Sequence, residues 1–268
     1  MKHNYDKDID DLEDVTMPLN RRKTLALLGA GITAGLTGNS PAISAKDDNI
    51  KAVAFDGFPI LDPRPVFKLA GQLYPDKGRE FAITFRTRLF EYQWLRALAG
   101  QYKDFYSIID DAHSFTTSQL NLDLTSENKK LFREAFLSLK AWPDVAPSLE
   151  ALKRKGIKIA FLSNMTSNML NAGLNNSGLK NMFDFVISTD QKKTFKPDPR
   201  AYQLGVDAFK IPRQQIMFVA FAGWDVAGAH WFGYPTAWIN RLNFKPEVLD
   251  ARPVLVGKNL TDLVNHLK

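Results

Sequence analysis

Residues 51–62, KAVAFDGFPILD, decide the fold of this chain. Residues 51–55 are mainly apolar and predict a short buried β-strand. Asp56 follows at the carboxyl end of that strand, and Gly57 and Pro59 predict a turn behind it. In open α/β sheets, ligands bind just beyond the carboxyl ends of the strands. Asp56 is therefore a candidate nucleophile, a candidate metal ligand or a helix cap.

The second half of the chain alternates between strand and helix patterns. Strands are predicted over residues 157–162, 183–188, 216–219 and 236–239. Helices are predicted over residues 148–155, 166–178, 202–209 and 226–232. Strands that are separated by helices and short loops form a parallel sheet with right-handed crossovers. We therefore predict an α/β fold, in which a Rossmann-like parallel sheet core has helices on both faces.

The segment between the first strand and these elements has a different pattern. Over residues 64–140, apolar and aromatic side chains recur at helical spacing, and Pro63 and Pro75 predict the ends of helices. This segment is predicted to be a helical cap subdomain, inserted into a core domain of residues 46–63 and 141–268. Most of its aromatic side chains are expected to form the core of the cap.

The amino terminus carries a candidate export signal over residues 1–45. Arg21 and Arg22 precede a weakly apolar, glycine-rich run at residues 25–38, which is short for a membrane span. Small residues up to Ala45 could form a cleavage site. The arrangement resembles a twin-arginine signal peptide, which implies the export machinery as a partner and a periplasmic location. A disordered basic leader or a membrane anchor is the alternative.

The composition narrows the classes of function. The 268 residues carry a net charge of +6 and no cysteine, which excludes disulfides, thiol catalysis and cysteine metal sites. The basic residues form no concentrated stripe, so nucleic acid is not an expected partner. A general positive charge favours anionic small molecules instead.

Four predicted strand ends offer polar groups to one edge of the sheet. These groups are Asp56, Ser163 with Asn164, Lys196 and Asp225. Each alone is a common feature of helix caps, turns and loops. Their order is more specific: a hydrophobic strand with Asp, a second with Ser-Asn, then Lys-Pro, then a strand with Asp. In this order the chain resembles the haloacid dehalogenase superfamily.

Within that superfamily, residues 50–268 are similar to the type II L-2-haloacid dehalogenases. The resemblance includes the stretches FRTRLFEYQWLR (85–96) and FGYPTAWINR (232–241), and their pieces EYQWLR (91–96) and WINR (238–241) separate this family from its phosphatase relatives. Further matching stretches are AFD (54–56), LSN (162–164), FKPDPRAY (195–202) and FVAFAGWDVAGA (218–229). The resemblance implies that short (S)-2-haloalkanoic acids react with water, through an aspartyl ester, to give (R)-2-hydroxy acids and halide.

The resemblance also implies catalytic roles. Asp56 would be the nucleophile, and Lys196 would lie near it and keep it ionised. Arg86 in the cap would abstract the halide. Asp225 would orient Lys196 or the water that hydrolyses the ester.

A substrate-binding set follows from the same resemblance. Ser163 and the backbone N–H groups of Gly57 and Phe58 would hold the substrate carboxylate. Asn164 would help to cradle the halide, and Tyr202 would support the active-site lysine. The aromatic side chains that are expected to line the substrate pocket are Phe58, Phe90, Phe105 and Trp224.

No metal ion or other cofactor is expected. Phosphatases of the superfamily place a second Asp two residues after the nucleophile, where this chain has Phe58. A halide is a stable anion that needs no proton on leaving, so a dehalogenase can dispense with that acid. Asp225 stands alone in the last motif, whereas Mg²⁺ prefers a carboxylate-rich site.

The chain departs from the family pattern at four positions, and at three of them (Ile60, Ala220 and Ala222) a polar side chain is lost. Family members usually have Gly and Thr where this chain has Pro59 and Ile60, and Ser and Asn where it has Ala220 and Ala222. These losses should weaken ester hydrolysis more than ester formation. The alternatives are a diverged protein with impaired hydrolysis or a binding-only role and, as a lesser alternative, a phosphatase-like hydrolase. Substrate chain length and halogen stay open, as does a homodimer, for which the aromatic-rich cap could supply an interface.

Overall fold

Six parallel β-strands form the centre of the computed structural model, which describes residues 50–267. The strands are β1 (Ala52–Phe55), β2 (Lys158–Ser163), β3 (Phe185–Ser188), β4 (Ile216–Ala220), β5 (Thr236–Ile239) and β6 (Leu255–Gly257). Their order across the sheet is β3-β2-β1-β4-β5-β6, so β1 lies near the middle of the sheet, between β2 and β4. All neighbouring strands run parallel, which confirms the predicted α/β core.

Side chains of β1 alternate between two cores, one on each face of the sheet. Val53 and Phe55 belong to one core, and Ala52 and Ala54 to the other. Helices α6 (Val145–Arg154), α7 (Ser167–Asn176) and α10 (Leu260–His266) contribute to the first core, and α8 (Pro199–Phe209) and α9 (Gly223–Phe232) to the second. The prediction of helices on both faces is therefore confirmed.

Four helices form the cap that is inserted between β1 and α6. They are α2 (Arg64–Leu73), α3 (Gly78–Ala99), α4 (Phe105–Gln119) and α5 (Ser126–Leu137). At the base of the cap, two backbone hydrogen bonds join the segment that enters it to the segment that leaves it. They run from Asp62 N to Lys140 O (2.8 Å) and from Trp142 N to Ile60 O (3.0 Å). The insert therefore leaves and rejoins the core at neighbouring points.

The structure differs from the sequence-based prediction at two places. The residues after Asp56 form a one-turn helix, α1 (Gly57–Ile60), where a plain turn is predicted, because the Asp56 side chain accepts a hydrogen bond from Phe58 N and caps it. Strand β6 and helix α10 are missing from the prediction. The three residues of β6 are too few for an alternating pattern to be recognised, and Val256 in their middle is exposed.

The predicted export signal lies outside the described residues. Within residues 50–267, no helix combines the length and the apolar character that crossing a membrane requires.

A histidine is buried in the aromatic core of the cap. His113 of α4 lies among the rings of Phe81, Phe85 and Phe132. Its Nε2 is 3.0 Å from the hydroxyl of Tyr74, and its Nδ1 has no partner among the described residues. Burial lowers the pKa of His113 to about 4. The cap therefore holds the neutral imidazole.

We expect acid to destabilise the cap through His113. Because its pKa is lower in the folded protein than the ordinary value of about 6.5, the unfolded chain takes up the proton first. Stability should fall as the pH drops from about 6.5 towards 4, by about 1 to 2 kcal/mol between pH 7 and pH 5. In His113→Gln, which does not titrate, urea unfolding should depend less on pH, whereas His230→Gln at an exposed position should behave like the wild type. Equal pH dependence in all three proteins would contradict the prediction.

Candidate active site

Polar side chains from four segments meet around a buried ammonium group at the carboxyl edge of the sheet. Lys196, after β3, has a fully buried side chain whose Nζ lies 2.8 Å from Asp56 Oδ1 and 2.5 Å from Asp225 Oδ2. Asp56 follows β1, and Asp225 lies in the first turn of α9. Ser163, the last residue of β2, places its Oγ 3.5 Å from Asp56 Oδ1. The structure thus brings the predicted strand-end residues together.

The charges of this group determine one another. Burial alone would lower the pKa of Lys196, but the carboxylates of Asp225 and Asp56 outweigh it, and the pKa is raised. Burial raises the pKa of Asp225 to about 6, although the charge of Lys196 opposes this rise. Lys196 therefore remains an ammonium group at neutral pH and holds both carboxylates through charge-assisted hydrogen bonds.

Tyr202 supports the lysine through Asp225 and not by direct contact. Its hydroxyl donates to Asp225 Oδ1 at 2.7 Å, while Asp225 Oδ2 accepts from the ammonium group. Burial raises the pKa of Tyr202 well above its ordinary value, so the phenol keeps its proton. Tyr202 is fully buried behind Asp225. Tyr202 and Gly57 are the two members of the predicted substrate-binding set that do not line the cavity described below.

Helix α1 presents backbone N–H groups beside the Asp56 carboxylate. Phe58 N lies 3.3 Å from Asp56 Oδ2, and the first N–H groups of a helix have no partner within it. A Cβ atom at Gly57 would lie 2.9 Å from Met165 Sδ and 3.0 Å from Ser163 Oγ. A side chain at position 57 would therefore displace Met165 or Ser163, which lies beside the Asp56 carboxylate.

Two side chains of the core hold α1 in place. Arg241, after β5, donates from Nε and Nη2 to Pro59 O at 3.0 and 2.7 Å, and it forms a bidentate ion pair with Asp144. Trp142 Nε1 donates to Phe58 O at 3.0 Å. In the sequence, Arg241 is only the last residue of a family stretch. Its contact with Pro59 shows what it does: it fixes the helix that presents N–H groups to the carboxylate.

A small cavity lies between these strand ends and the cap. Its volume is about 40 Å³, far below the roughly 300 Å³ or more of drug-sized ligand sites. Only a small molecule therefore fits. The predicted site residues that line the cavity are Asp56, Phe58, Arg86, Phe90, Phe105, Ser163, Asn164 and Trp224. Lining residues without a predicted role are Pro63, Phe67, Leu89, Phe136, Met165, Phe221 and Ala222.

Arg86 of α3 brings a positive charge to the cavity wall. Its guanidinium lies 5.5 Å from the ring centroid of Phe90 and 5.3 Å from that of Phe244. Burial lowers the pKa of Arg86, and the charge of Glu247 opposes this effect, but a guanidinium stays protonated in proteins. Among residues 50–267, no side chain forms an ion pair or a hydrogen bond with Arg86. A largely buried cation without a fixed partner is suited to bind a small anion.

An indole N–H group without a partner also belongs to this wall. Trp224 Nε1 is buried and has no hydrogen-bond acceptor in the described part of the chain. The Trp224 ring packs against Phe90 and Trp94, with 5.4 Å between ring centroids in both pairs. Because buried N–H groups are usually paired, this donor is available to a ligand.

Asn164, directly after β2, joins three segments through its side chain. Its Oδ1 accepts from Lys196 N at 2.9 Å and from Thr189 Oγ1 at 3.4 Å. Its Nδ2 donates to Oε1 of Gln93 in α3 at 2.8 Å. Sequence reasoning missed Gln93, because a single glutamine within a helical stretch is usually exposed. Its place within the family stretch at residues 85–96 is the one signal that could have drawn attention to it.

The donor set at the sheet edge does not suit a metal ion. Asp56 and Asp225 already share the ammonium group of Lys196. Over residues 50–267, no group of three or more His, Cys, Asp or Glu side chains is arranged to hold a metal.

Comparison with known proteins points to one family. The family model of haloacid dehalogenase-like hydrolases matches residues 61–233. Haloacetate dehalogenase H-2 of Moraxella sp. (strain B) is 38% identical over 205 residues, which cover 76% of this chain and 92% of the relative. The (S)-2-haloacid dehalogenase of Pseudomonas sp. (strain YL) is 38% identical over 195 residues, or 72% of this chain and 84% of the relative. The structure of L-2-haloacid dehalogenase from Xanthobacter autotrophicus with chloropropionic acid covalently bound has a TM-score of 0.75 and 32% identity, and it covers 81% of this chain and 97% of that chain.

We expect the buried pair of Arg241 and Asp144 to be strongly coupled. The Arg241 side chain is 4% exposed, so Arg241→Met leaves a carboxylate without its cation and should cost about 3 to 5 kcal/mol in free energy of unfolding. The loss of free energy of unfolding caused by Asp144→Asn should be about 1 to 3 kcal/mol smaller in the Arg241→Met variant than in the wild type. Arg133→Met, which removes an exposed ion pair with Asp110, should cost less than about 1 kcal/mol. Urea unfolding measures all of these values, and additive effects of the two buried changes would refute the coupling.

Proposed function

The chain belongs to the haloacid dehalogenase-like hydrolases, and on this basis we propose that it hydrolyses short (S)-2-haloalkanoic acids to (R)-2-hydroxy acids and halide. It is a hydrolase that acts on carbon–halide bonds, as its relatives are. One observation carries the proposal for this site. The carboxylate of Asp56, from the core, and the unpaired guanidinium of Arg86, from the cap, line the same small cavity.

In the first half-reaction, a carboxylate oxygen of Asp56 attacks C2 of the substrate. The carbon–halogen bond breaks, the halide leaves with the electron pair, and C2 is inverted in the resulting aspartyl ester. Lys196 holds Asp56 through a 2.8 Å ion pair. The guanidinium of Arg86 and the N–H of Trp224 receive the developing negative charge, and the apolar wall strengthens these interactions.

The substrate carboxylate is proposed to bind at the start of α1. The N–H of Phe58 and the hydroxyl of Ser163 lie beside Asp56, and the N–H of Gly57 is proposed as a third donor. Phe90 and Phe105 line the remaining wall. With a volume of about 40 Å³, the cavity favours acids with short chains.

In the second half-reaction, water attacks the carbonyl carbon of the ester. The carboxylate of Asp56 is restored, the hydroxy acid keeps one proton of the water, and the other proton is released. Asp225 contributes by holding Lys196. Its two carboxylate oxygens support this role, because one accepts a hydrogen bond from Lys196 and the other accepts one from Tyr202. This geometry favours the orientation of Lys196 over the orientation of water, the other role predicted for Asp225.

An ester that forms but is hydrolysed slowly is the second candidate. Ala222 lines the cavity at a position where the family pattern has a polar side chain, and it offers no hydrogen bond to water. The loss of one such group costs a factor of about 10² to 10³ in rate. A phosphatase-like activity is less favoured, because Phe58 stands where phosphatases of the superfamily carry their acid.

We expect the protein to release halide from (S)-2-chloropropionate continuously and without added metal. Asp56→Asn should lower this rate by about 10⁴-fold or more, because the amide is a poor nucleophile. Asp207→Asn, at an exposed position of α8, should leave the rate unchanged. Halide is measured together with the mass of the Asp56 peptide.

Each other outcome has a separate meaning. A burst of about one halide per chain, with a matching mass increase on the Asp56 peptide, would show that hydrolysis is impaired. Neither halide nor a mass increase would refute the dehalogenase. Mg²⁺-dependent hydrolysis of p-nitrophenyl phosphate in place of halide release would indicate the phosphatase alternative.

Residues 1–45 are proposed to direct export to the periplasm through the twin-arginine machinery. Arg21 and Arg22 ahead of the apolar run at residues 25–38 support this proposal. Replacement of both arginines by lysine should retain the protein in the cytoplasm, whereas Lys23→Gln should not. Cell fractionation distinguishes these results, and periplasmic recovery of the double-lysine variant would contradict the proposal.

A homodimer is also proposed, with the cap as its interface. Leu95 and Leu98 of α3 are 60% and 89% exposed and offer an apolar surface. Sedimentation equilibrium decides the question, since a monomer at all micromolar concentrations would exclude the dimer.

A further inference from the structure

Gln93 of α3 is a fully buried amide at the junction of the cap and the sheet. Its Nε2 donates to Leu89 O in the same helix at 2.9 Å, and its Oε1 accepts from Asn164 Nδ2 at 2.8 Å. A buried amide is tolerated when its polar atoms are paired. Both ends of the Gln93 amide are paired, and one partner is a residue of the cavity wall.

Three hydrogen bonds form a series from Leu89 O through the amides of Gln93 and Asn164 to Lys196 N. The two ends of this series determine the direction of every bond in it. Leu89 O can only accept. Lys196 N, which lies 2.9 Å from Asn164 Oδ1, can only donate. A reversed amide at Gln93 or Asn164 would place two acceptors or two donors face to face. The series from Leu89 through Gln93 and Asn164 to Lys196 therefore has a single hydrogen-bonding arrangement.

This arrangement orients a donor of the cavity wall. Asn164 carries two hydrogens on Nδ2, and Gln93 accepts one of them. Asn164 lines the cavity, so its second N–H is available to a ligand. The orientation of that donor depends on Gln93.

The same contact determines where α3 lies over the nucleophile. Gln93 follows Arg86 by seven residues, which is about two turns, so both side chains lie on one face of the helix. Leu89 and Phe90, between them, line the cavity. The bond from Gln93 to Asn164 ties this part of α3 to the end of β2, and with it the guanidinium of Arg86.

We propose that Gln93 is a positioning residue for halide departure. It holds the amide of Asn164 and the guanidinium of Arg86 in the arrangement that receives the leaving halide, an assignment that rests on the proposed dehalogenase function. A residue with only a structural role would lower all rates together when it is replaced. A positioning residue would change the discrimination between leaving groups, because chloride leaves less readily than bromide and depends more on stabilisation.

The test uses Gln93→Met, which keeps the length of the side chain and removes its amide. We expect single-turnover chloride release from (S)-2-chloropropionate to slow by about 10- to 100-fold. Bromide release from (S)-2-bromopropionate should slow less, so that the bromide-to-chloride rate ratio rises, and inhibition by added bromide should weaken. Thr116→Val removes a buried hydroxyl elsewhere in the cap and should change neither the ratio nor the inhibition.

An unchanged ratio and unchanged bromide inhibition in Gln93→Met would overturn the proposal, even if both rates fell. If this variant does not fold, Gln93→Glu carries the test, because a protonated carboxyl group can donate to Leu89 O and accept from Asn164. Its ratio should match the wild type at low pH and rise as the carboxyl group ionises, and a wild-type ratio at every pH would overturn the proposal. Failure of the wild-type protein to release halide would refute the proposed function instead.

Discussion

The arrangement of the sheet edge depends on the buried ammonium group of Lys196. Removal of an ammonium ion from water costs several kcal/mol unless opposite charges and hydrogen bonds compensate it. Here Asp56 and Asp225 do so at 2.8 and 2.5 Å, and the Phe218 ring centroid lies 4.8 Å from Nζ. The carboxylates must therefore follow adjacent strands, as they do after β1 and β4. Tyr202 reaches Asp225 only because α9 packs closely against it. A Cβ atom at Gly228 of α9 would lie 2.4 Å from the Tyr202 hydroxyl.

The same charges explain why the cap brings a cation to the cavity. Asp56, Asp225 and Lys196 carry one net negative charge when both carboxylates are ionised, and in the proposed reaction the charge of Asp56 passes to the departing halide as the ester forms. An apolar wall weakens the screening of such charges. Arg86 supplies the opposite charge from the cap, where no other described side chain pairs with it. The cap therefore contributes charge to the cavity as well as apolar wall residues.

Local patterns were sufficient for strands β1 to β5, the position of the cap and the residues at the strand ends. The short apolar run of β1 located Asp56, and helical spacing of aromatic residues located the inserted segment. Contacts between distant segments were not predictable in this way. Gln93 and Asn164 are 71 positions apart, and Arg241 and Pro59 are 182 apart. Each residue looks ordinary in its own stretch, because its partner is determined only by the packing of the whole fold.

The four departures from the family pattern have unequal weight once their positions are known. Pro59 is the third residue of α1, where a backbone N–H would have no partner within the helix. Proline therefore costs no helical hydrogen bond at this position. The carbonyl of Pro59 accepts a hydrogen bond from Arg241. Ile60 and Ala220 are fully buried in the cores. Only Ala222 among the four lines the cavity. The departures leave in place Ser163 and the N–H of Phe58, which we propose as donors for the substrate carboxylate. In the proposed mechanism, the step at risk is therefore the attack of water on the ester.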